Sequence, residues 1–361
     1  MSLLKDRFLP YGTKFPGLGG ILKSKPEDFV VEEIPAYLPC GEGEHRFLWI
    51  EKQNLDSRSM LRHISKRLSL KPSEIGLAGM KDRKAVTRQW ISIPASSDRL
   101  LDSVKFEGFR ILKSKRHRNK LRTGHLKGNR FTIAIRQYRQ SVFDKYFHEL
   151  FETIRKQGFP NYYGEQRFGV ENRNIVLGLE LLRGEKKPSH LPRRDRKFLL
   201  KIAISAVQSW LFNLVLARRI DEGTTSRVQR GDVMQKTETE GCFVVEDVAK
   251  EQYRLEAGEI VVTGPMFGCS NLSAKNRAGE IEEEVLASVN LSCEDFVRFP
   301  KIARGTRRPL KAYAQDLQFE VEAEVLRMRF SLKPGVYATS ILRETMKPES
   351  LGDDVEEEGS A

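Results

Sequence analysis

The chain has 361 residues, 31% of them charged and 39% apolar, with a formal net charge of +13. That length accommodates two domains with cores of their own. The excess of cations points to a polyanionic partner, nucleic acid before an anionic membrane. The sequence suggests neither a basic amphipathic helix nor an apolar run near the ~20 residues that span a bilayer.

The amino terminus, MSLLKDRFLP, lacks the apolar core of a secretion signal, so a cytoplasmic protein is expected. Cys40, Cys242, Cys269 and Cys293 contain no C-x-x-C pair, which argues against a disulfide framework and a zinc ribbon. The six histidines form no H-E-x-x-H, and neither a Walker A loop nor a G-x-G-x-x-G is present. No metal or nucleotide cofactor is therefore expected, and the chemistry should run on side chains alone.

In chain order, Pro26 holds its neighbour extended ahead of a strand centred on Phe29, Val30 and Val31. A glycine-bearing turn leads to a second strand at Phe47-Leu48-Trp49-Ile50. Asp56 or Ser57 then caps a helix whose Met60, Leu61, Ile64 and Leu68 recur at helical spacing. Next comes GLAGMKDRKAVTRQW, residues 76–90: a short buried strand, a turn eased by Gly76 and Gly79, and Asp82 between Lys81 and Arg83. Fixed positive charge on both sides favours the ionised carboxylate, which suits a nucleophile or base better than a proton donor.

Lys113, Lys115, Arg116, Arg118, Lys120, Arg122 and Lys127 follow with no acid among them. Such a block repels itself unless an anion neutralises it. It is a candidate track for an RNA phosphate backbone, with binding that weakens steeply in salt, or, as a flexible surface loop, a nonspecific basic patch. Phe131, Ile133 and Ile135 alternate as one face of a strand. A helix is expected from Val142 to about Lys156, ended by Gly158 and Pro160. Asp195 is placed to cap a further helix through Phe198, Ile202, Trp210 and Leu214. Leu326, Met328, Phe330 and Leu332 alternate as a half-buried strand, and the acidic run Asp353 to Glu358 is expected to be disordered.

Several of these stretches resemble the TruD family of tRNA pseudouridine synthases. Ala78-Gly79-Met80-Lys81-Asp82-Arg83-Lys84-Ala85-Val86-Thr87-Arg88-Gln89-Trp90 is similar to its signature. Leu22-Lys23 before Pro26-Glu27-Asp28-Phe29-Val30-Val31 is similar to its first motif, and Lys127-Gly128-Asn129 with Phe131-Thr132 to its Gly-Asn-x-Phe motif. Asn161-Tyr162-Tyr163-Gly164-Glu165-Gln166-Arg167-Phe168-Gly169 resembles a further family segment, and Tyr337 to Glu344 its closing turn and helix. Thr263 to Gly268 and Arg304 to Pro309 match weaker motifs.

The resemblance spans most of the chain and implies an α+β fold. A pseudouridine-synthase catalytic domain, a mixed bifurcated β-sheet flanked by helices, would comprise residues 1–157 and 310–361, interrupted by an inserted α/β domain at 158–309. It further implies Asp82 as the catalytic aspartate and Lys23 as an active-site lysine, with Lys23 or Arg83 keeping Asp82 ionised. Phe131 would pack on the target base and Asn129 would order the site. Asn161, Gln166, Arg167 and Phe168 would brace the active site or clasp RNA. The implied reaction, in a monomer without cofactor, is isomerisation of a uridine of tRNA, the family's site being position 13 in the D arm. The nucleotide must first be extruded from its helix. Asp82 would then attack C1′, add to the base, or abstract the C2′ proton. The competing expectations are an RNA-binding or RNA-folding protein on the same scaffold, and the same chemistry on another structured RNA.

Overall fold

The computed structural model describes residues 9–104, 107–270 and 272–347; the acidic tail lies outside the described residues. The chain divides into two compact units. One is built from residues 17–148 and 314–338, and the other from 149–313 with the described parts of the two termini, 9–16 and 339–347.

The first unit is organised by β-branched and aromatic runs that alternate with polar residues. These form β1 (Phe29–Pro35), β2 (His45–Gln53), β3 (Gly76–Leu77), β4 (Val86–Pro94), β5 (Phe109–His117), β6 (Leu126–Ile135), β7 (Gln315–Glu322) and β8 (Val325–Leu332). They hydrogen-bond in the order β7-β8-β6-β1-β4-β2-β5, with β3 also on β4. Only β1 and β4 run parallel; the other pairs are antiparallel. Helix α1 (Ser57–Arg67) starts at Asp56, whose carboxylate accepts the Ser59 N–H at 2.8 Å. It buries Met60 and Ile64 against Leu48, Ile50, Ile91 and Ile93 of the sheet.

The sheet is mixed and it divides. β2 occupies one edge of β4 along its whole length, from Gln53↔Val86 to His45↔Pro94. The other edge is shared. β1 takes it from Val30↔Val86 to Glu32↔Arg88, and β3 takes it at Leu77↔Ile91 and Gly76↔Ser92. The connection from β3 to β4, residues 78–85, therefore emerges where β1 and β4 part.

The basic block is not one flexible surface loop, the competing expectation for it. Lys113, Lys115 and Arg116 lie on β5, Lys127 lies on β6, and only residues 118–125 connect the two strands. Cross-strand pairing with β2 from Lys52↔Phe109 to His45↔His117 supplies the order that local charge repulsion would deny.

In the second unit a four-stranded antiparallel sheet runs in the order Thr306–Pro309, Ile260–Met266, Val233–Lys236, Cys242–Val244. The two weaker motifs noted in the sequence are neighbours here, with Gly264 opposite Arg308 and Pro265 opposite Arg307. Buried Arg307 donates to Glu282 at 2.8 Å and to the Thr263 carbonyl at 2.9 Å. The helix Arg196–Asp221 is the core element. Contrary to the sequence reading, it does contain a stretch apolar enough to cross a bilayer, but 67% of that stretch is buried inside the fold. Asp195 holds the N-cap position without a side-chain cap bond.

The terminal segments 9–16 and 339–347, expected with the catalytic domain, belong to this second unit. Hydrogen bonding explains their place. The Glu344 carboxylate accepts the Gly12 and Thr13 N–H groups at 3.0 and 2.7 Å, and Ser340 Oγ donates to the Tyr162 carbonyl at 3.0 Å.

Gly128 marks a close approach within the main sheet, since a Cβ there would stand 2.2 Å from the Leu332 carbonyl oxygen of β8. A backbone atom cannot yield as a side chain can, so Gly128→Ala is expected to lower stability by about 1–3 kcal/mol in urea denaturation. Gly79→Ala, where no atom lies within 4 Å, serves as the control and should stay within about 0.5 kcal/mol of wild type.

Candidate active site

Strand register decides which side chains meet. Glu33 of β1 lies opposite Asn129 of β6, Val31 opposite Phe131, and Lys52 of β2 opposite Thr87 of β4. With a period of two, Phe29, Val31, Glu33, Lys52, Thr87, Gln89, Asn129 and Phe131 share one face. Glu33 is 2% exposed and Lys52 1% exposed, and Thr87 and Gln89 are also buried. Buried polar groups of this kind need partners. Three of the four find them in the connection between β3 and β4.

Lys81 reaches down from that connection. Its Nζ donates to Asn129 Oδ1 at 2.6 Å and lies 3.4 Å from Glu33 Oε2. The other oxygen of Glu33 accepts the Trp90 N–H at 3.3 Å, on the stretch of β4 that β1 no longer pairs with. Burial opposes both charges, raising the pKa of Glu33 against the pull of Lys81 and lowering that of Lys81 against the pull of Glu33. Gln89 Nε2 donates to the Gly79 carbonyl at 3.2 Å, and the Lys81 N–H donates to Ser57 Oγ at 3.2 Å.

Lys52 completes the support. Its ammonium donates to the Asp82 carbonyl at 2.6 Å, the Leu55 carbonyl at 2.7 Å and the Lys81 carbonyl at 3.4 Å. Burial brings its pKa down to about 8, with the Asp82 and Asp56 carboxylates pulling it back up and Lys81 pushing it further down. The backbone from Gly79 to Asp82 is thus held from below by Lys52, Ser57 and Gln89, while Asp82 itself is exposed.

Asp82 accordingly sits between neighbours that point in different directions. Lys81, expected as a flanking cation, is committed to Glu33 and Asn129. Lys23, at a left-handed φ of 57°, lays its Nζ 4.4 Å from the centroid of the Phe29 ring. Phe29 meets Phe131 edge-on at 6.3 Å, and Phe131 stacks on Phe330 at 5.4 Å. The Phe131 ring is 7% exposed. These contacts link Lys23, Phe29 and Phe131 on the same face as Asn129, Lys81 and the Asp82 backbone. Arg83 is exposed beside Asp82.

The Asn161 motif belongs to the second unit. Asn161 is buried, donating to the Pro309 carbonyl at 2.9 Å and accepting from Arg308 at 2.6 Å. Phe168 lies in the hydrophobic core of that unit. These two residues brace their own unit. Gln166 and Arg167 are exposed, Arg167 with its guanidinium 5.6 Å from the Tyr163 ring centroid and its Nε 3.2 Å from Ser209 Oγ.

Of the expected phosphate track, Arg116 pairs with Asp98 at 2.8 Å and Arg118 pairs with Glu42, while Lys120 donates to the Ser73 carbonyl. Lys113, Lys115, Arg122 and Lys127 are exposed and make no ion pair among the described residues. Among the described residues no three His, Cys, Asp or Glu side chains converge as metal ligands.

Glu33, Lys52 and Gln89 escaped the sequence reading, although a signal was present. Glu33 is in phase with Phe29 and Val31, and Lys52 is in phase with Leu48 and Ile50. A charge in the buried phase of an alternating strand marks a partner arriving from elsewhere. Burying the charged Lys52 costs roughly 3 kcal/mol on the scale of its pKa displacement, about what its hydrogen bonds return. Lys52→Met is therefore expected to keep overall stability within about 1 kcal/mol at neutral pH and to speed hydrogen exchange at the Lys81 amide at least tenfold. The sign with pH is fixed as well. The unfolded chain holds this proton more tightly, so this residue's contribution to stability rises as pH climbs from about 8 to about 10.4. Urea titrations across that window should show a steeper rise in wild type than in Lys52→Met, which keeps only the rise from other buried lysines such as Lys81.

Comparison with known proteins gives the chain a family. The family model for tRNA pseudouridine synthase D (TruD) matches residues 8–189 and 193–345. The chain is 42% identical over 337 residues to the tRNA pseudouridine synthase D of Thermus thermophilus, covering 93% of this chain and 91% of that protein. It is 39% identical over 343 residues to the protein of the same name from Anaeromyxobacter dehalogenans, covering 95% and 97%. A crystal structure from Methanosarcina mazei, titled with the same family, superposes with a TM-score of 0.77 at 25% identity, covering 96% of this chain and 97% of that one. The match runs through both units and all the motifs that hold Asp82 in place, and the chain belongs to the tRNA pseudouridine synthase D (TruD) family.

Proposed function

We propose that this protein isomerises a uridine of tRNA to pseudouridine, at position 13 as the family resemblance implies, with Asp82 as the catalytic residue. The observation that carries the reading is the mounting of Asp82: an exposed carboxylate on a backbone held by buried Lys52, Ser57 and Gln89. Rigid support for a reactive group lowers the ordering cost of reaching the transition state.

The reaction breaks the N1–C1′ glycosidic bond, turns the uracil, forms a C5–C1′ bond, releases the C5 proton to solvent and takes a proton up at N1. Nothing is oxidised or reduced overall, so no cofactor is required. The ring of an extruded base needs an apolar partner, and Phe131, held between Phe29 and Phe330, offers a fixed aromatic edge on the same face as Asn129. Cations of β5, of the start of β6 and of the connection between them that make no ion pair among the described residues, Lys113, Lys115, Arg122 and Lys127, supply a surface for the phosphate backbone. Gln166 and Arg167 are the exposed candidates for RNA contact in the second unit.

Asp82→Asn is expected to abolish tritium release from tRNA carrying 5-tritiated uridine while leaving tRNA affinity within about 1.4 kcal/mol, or tenfold. Release at the wild-type rate would remove Asp82 from the mechanism. Because Phe131 is nearly buried, truncation to alanine would also cost about 3–5 kcal/mol of folding stability. Phe131→Leu is the better probe. It should fold, bind tRNA and lose at least tenfold in a single-turnover rate, and an undiminished rate would exclude the ring from the chemistry.

A further inference from the structure

Away from the Asp82 face, the end of the β2–β5 pair carries a concavity of about 610 Å³, within the range of small-ligand sites. Its walls come from three segments. His45 and His117 are directly opposite each other on β2 and β5. Tyr37 approaches from the loop after β1, its ring stacked on His117 at 5.0 Å and its hydroxyl 2.7 Å from His125 Nδ1. Asn119, Lys120 and Arg122 come from the connection between β5 and β6. No acid lines it.

The site is built before any ligand arrives. The Leu121 N–H donates to Ser92 Oγ at 2.9 Å, the His125 N–H to the Arg122 carbonyl at 3.0 Å, and the Gly124 N–H to the Ala78 carbonyl at 3.0 Å. Gly43, at a φ of 114°, lets the β1–β2 loop close on the same segment, where a Cβ would stand 2.5 Å from Arg118 Cα. A connection this firmly held has already met the ordering cost that a floppy basic loop would meet on binding. It also keeps Lys120 and Arg122 together although neither has a carboxylate partner among the described residues. Flat aromatic walls beside paired cations and an amide match the parts of a nucleotide: phosphate on the cations, base or ribose on the rings. Ala78 precedes Asp82 by four residues, so a chain of at most about 14 Å separates the anchor of this connection from the catalytic residue.

We propose that this concavity binds a second nucleotide of the RNA, distinct from the reacting uridine, with its phosphate on Lys120 and Arg122 and its nucleoside against Tyr37 and His117. The inference rests on the reading of RNA as substrate but not on the role of Asp82. It predicts an anion contact that is local, and so separable from the general attraction of a basic protein.

The test uses the full chain carrying Asp82→Asn, so that turnover does not intervene. In that background Asn119→Ala with Arg122→Glu is expected to weaken binding of unmodified tRNA at least tenfold and to flatten its salt dependence. Lys156→Glu makes the same change of charge on an exposed helix of the other unit and should stay within twofold. In parallel, uridine 5′-monophosphate should shift the ring resonances of His117 and His125, and the double variant should lose that response. Equal tRNA affinity in the double variant and Lys156→Glu overturns the proposal. So does a response in which inorganic phosphate shifts the rings as far as the nucleotide, which would mark a plain anion site. Turnover by Asp82→Asn would instead sink the catalytic reading and leave this comparison standing.

Discussion

The buried pair between Lys81 and Glu33, with Asn129 as its third member, is the constraint on which the first unit depends. A sheet that divides leaves backbone groups without neighbours at the fork, and these must be satisfied within the fold. Glu33 does this for the Trp90 N–H, where β1 has turned away from β4. Its negative charge then needs compensation, and Lys81 supplies it from the connection that emerges at the same fork. The topological fault and the charge pair are one device: the fork requires an acid, the acid requires a cation, and the cation fixes the chain one residue before Asp82.

Such a pair is a poor source of net stability. Desolvation of two charges takes back most of their attraction, and a well-packed apolar substitute often folds as well or better. What the pair provides is geometry. Removing either partner strands the other charge, so the connection has one low-energy position in place of several. Lys52 acts in the same sense. Its ammonium meets carbonyl oxygens only, including that of Asp82, and it is kept protonated at neutral pH by a margin of about one unit. Both lysines act on main chain next to Asp82 and leave its carboxylate accessible, which is what a reactive group that must meet a substrate requires.

Much of this was legible in the sequence because it is local or periodic. The α1 stripe of Met60 and Ile64, the alternation of Phe131, Ile133 and Ile135, and the left-handed Gly158 with a φ of 71° are all where pattern and turn chemistry place them. The Asp82 stretch and the Asn161 segment were recognisable as family motifs, although their partners were not. Glu33 and Asn129 lie 96 residues apart and meet only because β1 and β6 pair in one register. No local rule contains that. The basic block failed for the opposite reason: its composition denies a strand, and pairing of β5 with β2 overrides composition. The apolar stretch in Arg196–Asp221 escaped as well, since Ser205, Gln208, Ser209 and Asn213 hide a core helix from a search for uninterrupted runs.

Charge placement carries the last step. Along the face of the sheet opposite Lys52, Arg130, Glu32, Arg88, Glu51 and Arg110 follow one another across five strands, each paired with the next at 3.6, 3.2, 2.8 and 2.7 Å. This alternation leaves little free charge on that part of the surface, and each exposed rung contributes only a few tenths of a kcal/mol, up to about 1. From β5 through the connection to the start of β6 the alternation stops, and Lys113, Lys115, Arg122 and Lys127 make no ion pair among the described residues. A net charge of +13 is therefore a weaker guide than its distribution. Cations cancelled within the ladder hold strands in register, whereas those left uncancelled create a field at the surface to which a polyanion responds. The stretch from β5 to the start of β6 meets that description and the ladder does not, so the same residue types hold register on one part of the sheet and leave an uncancelled positive field on another.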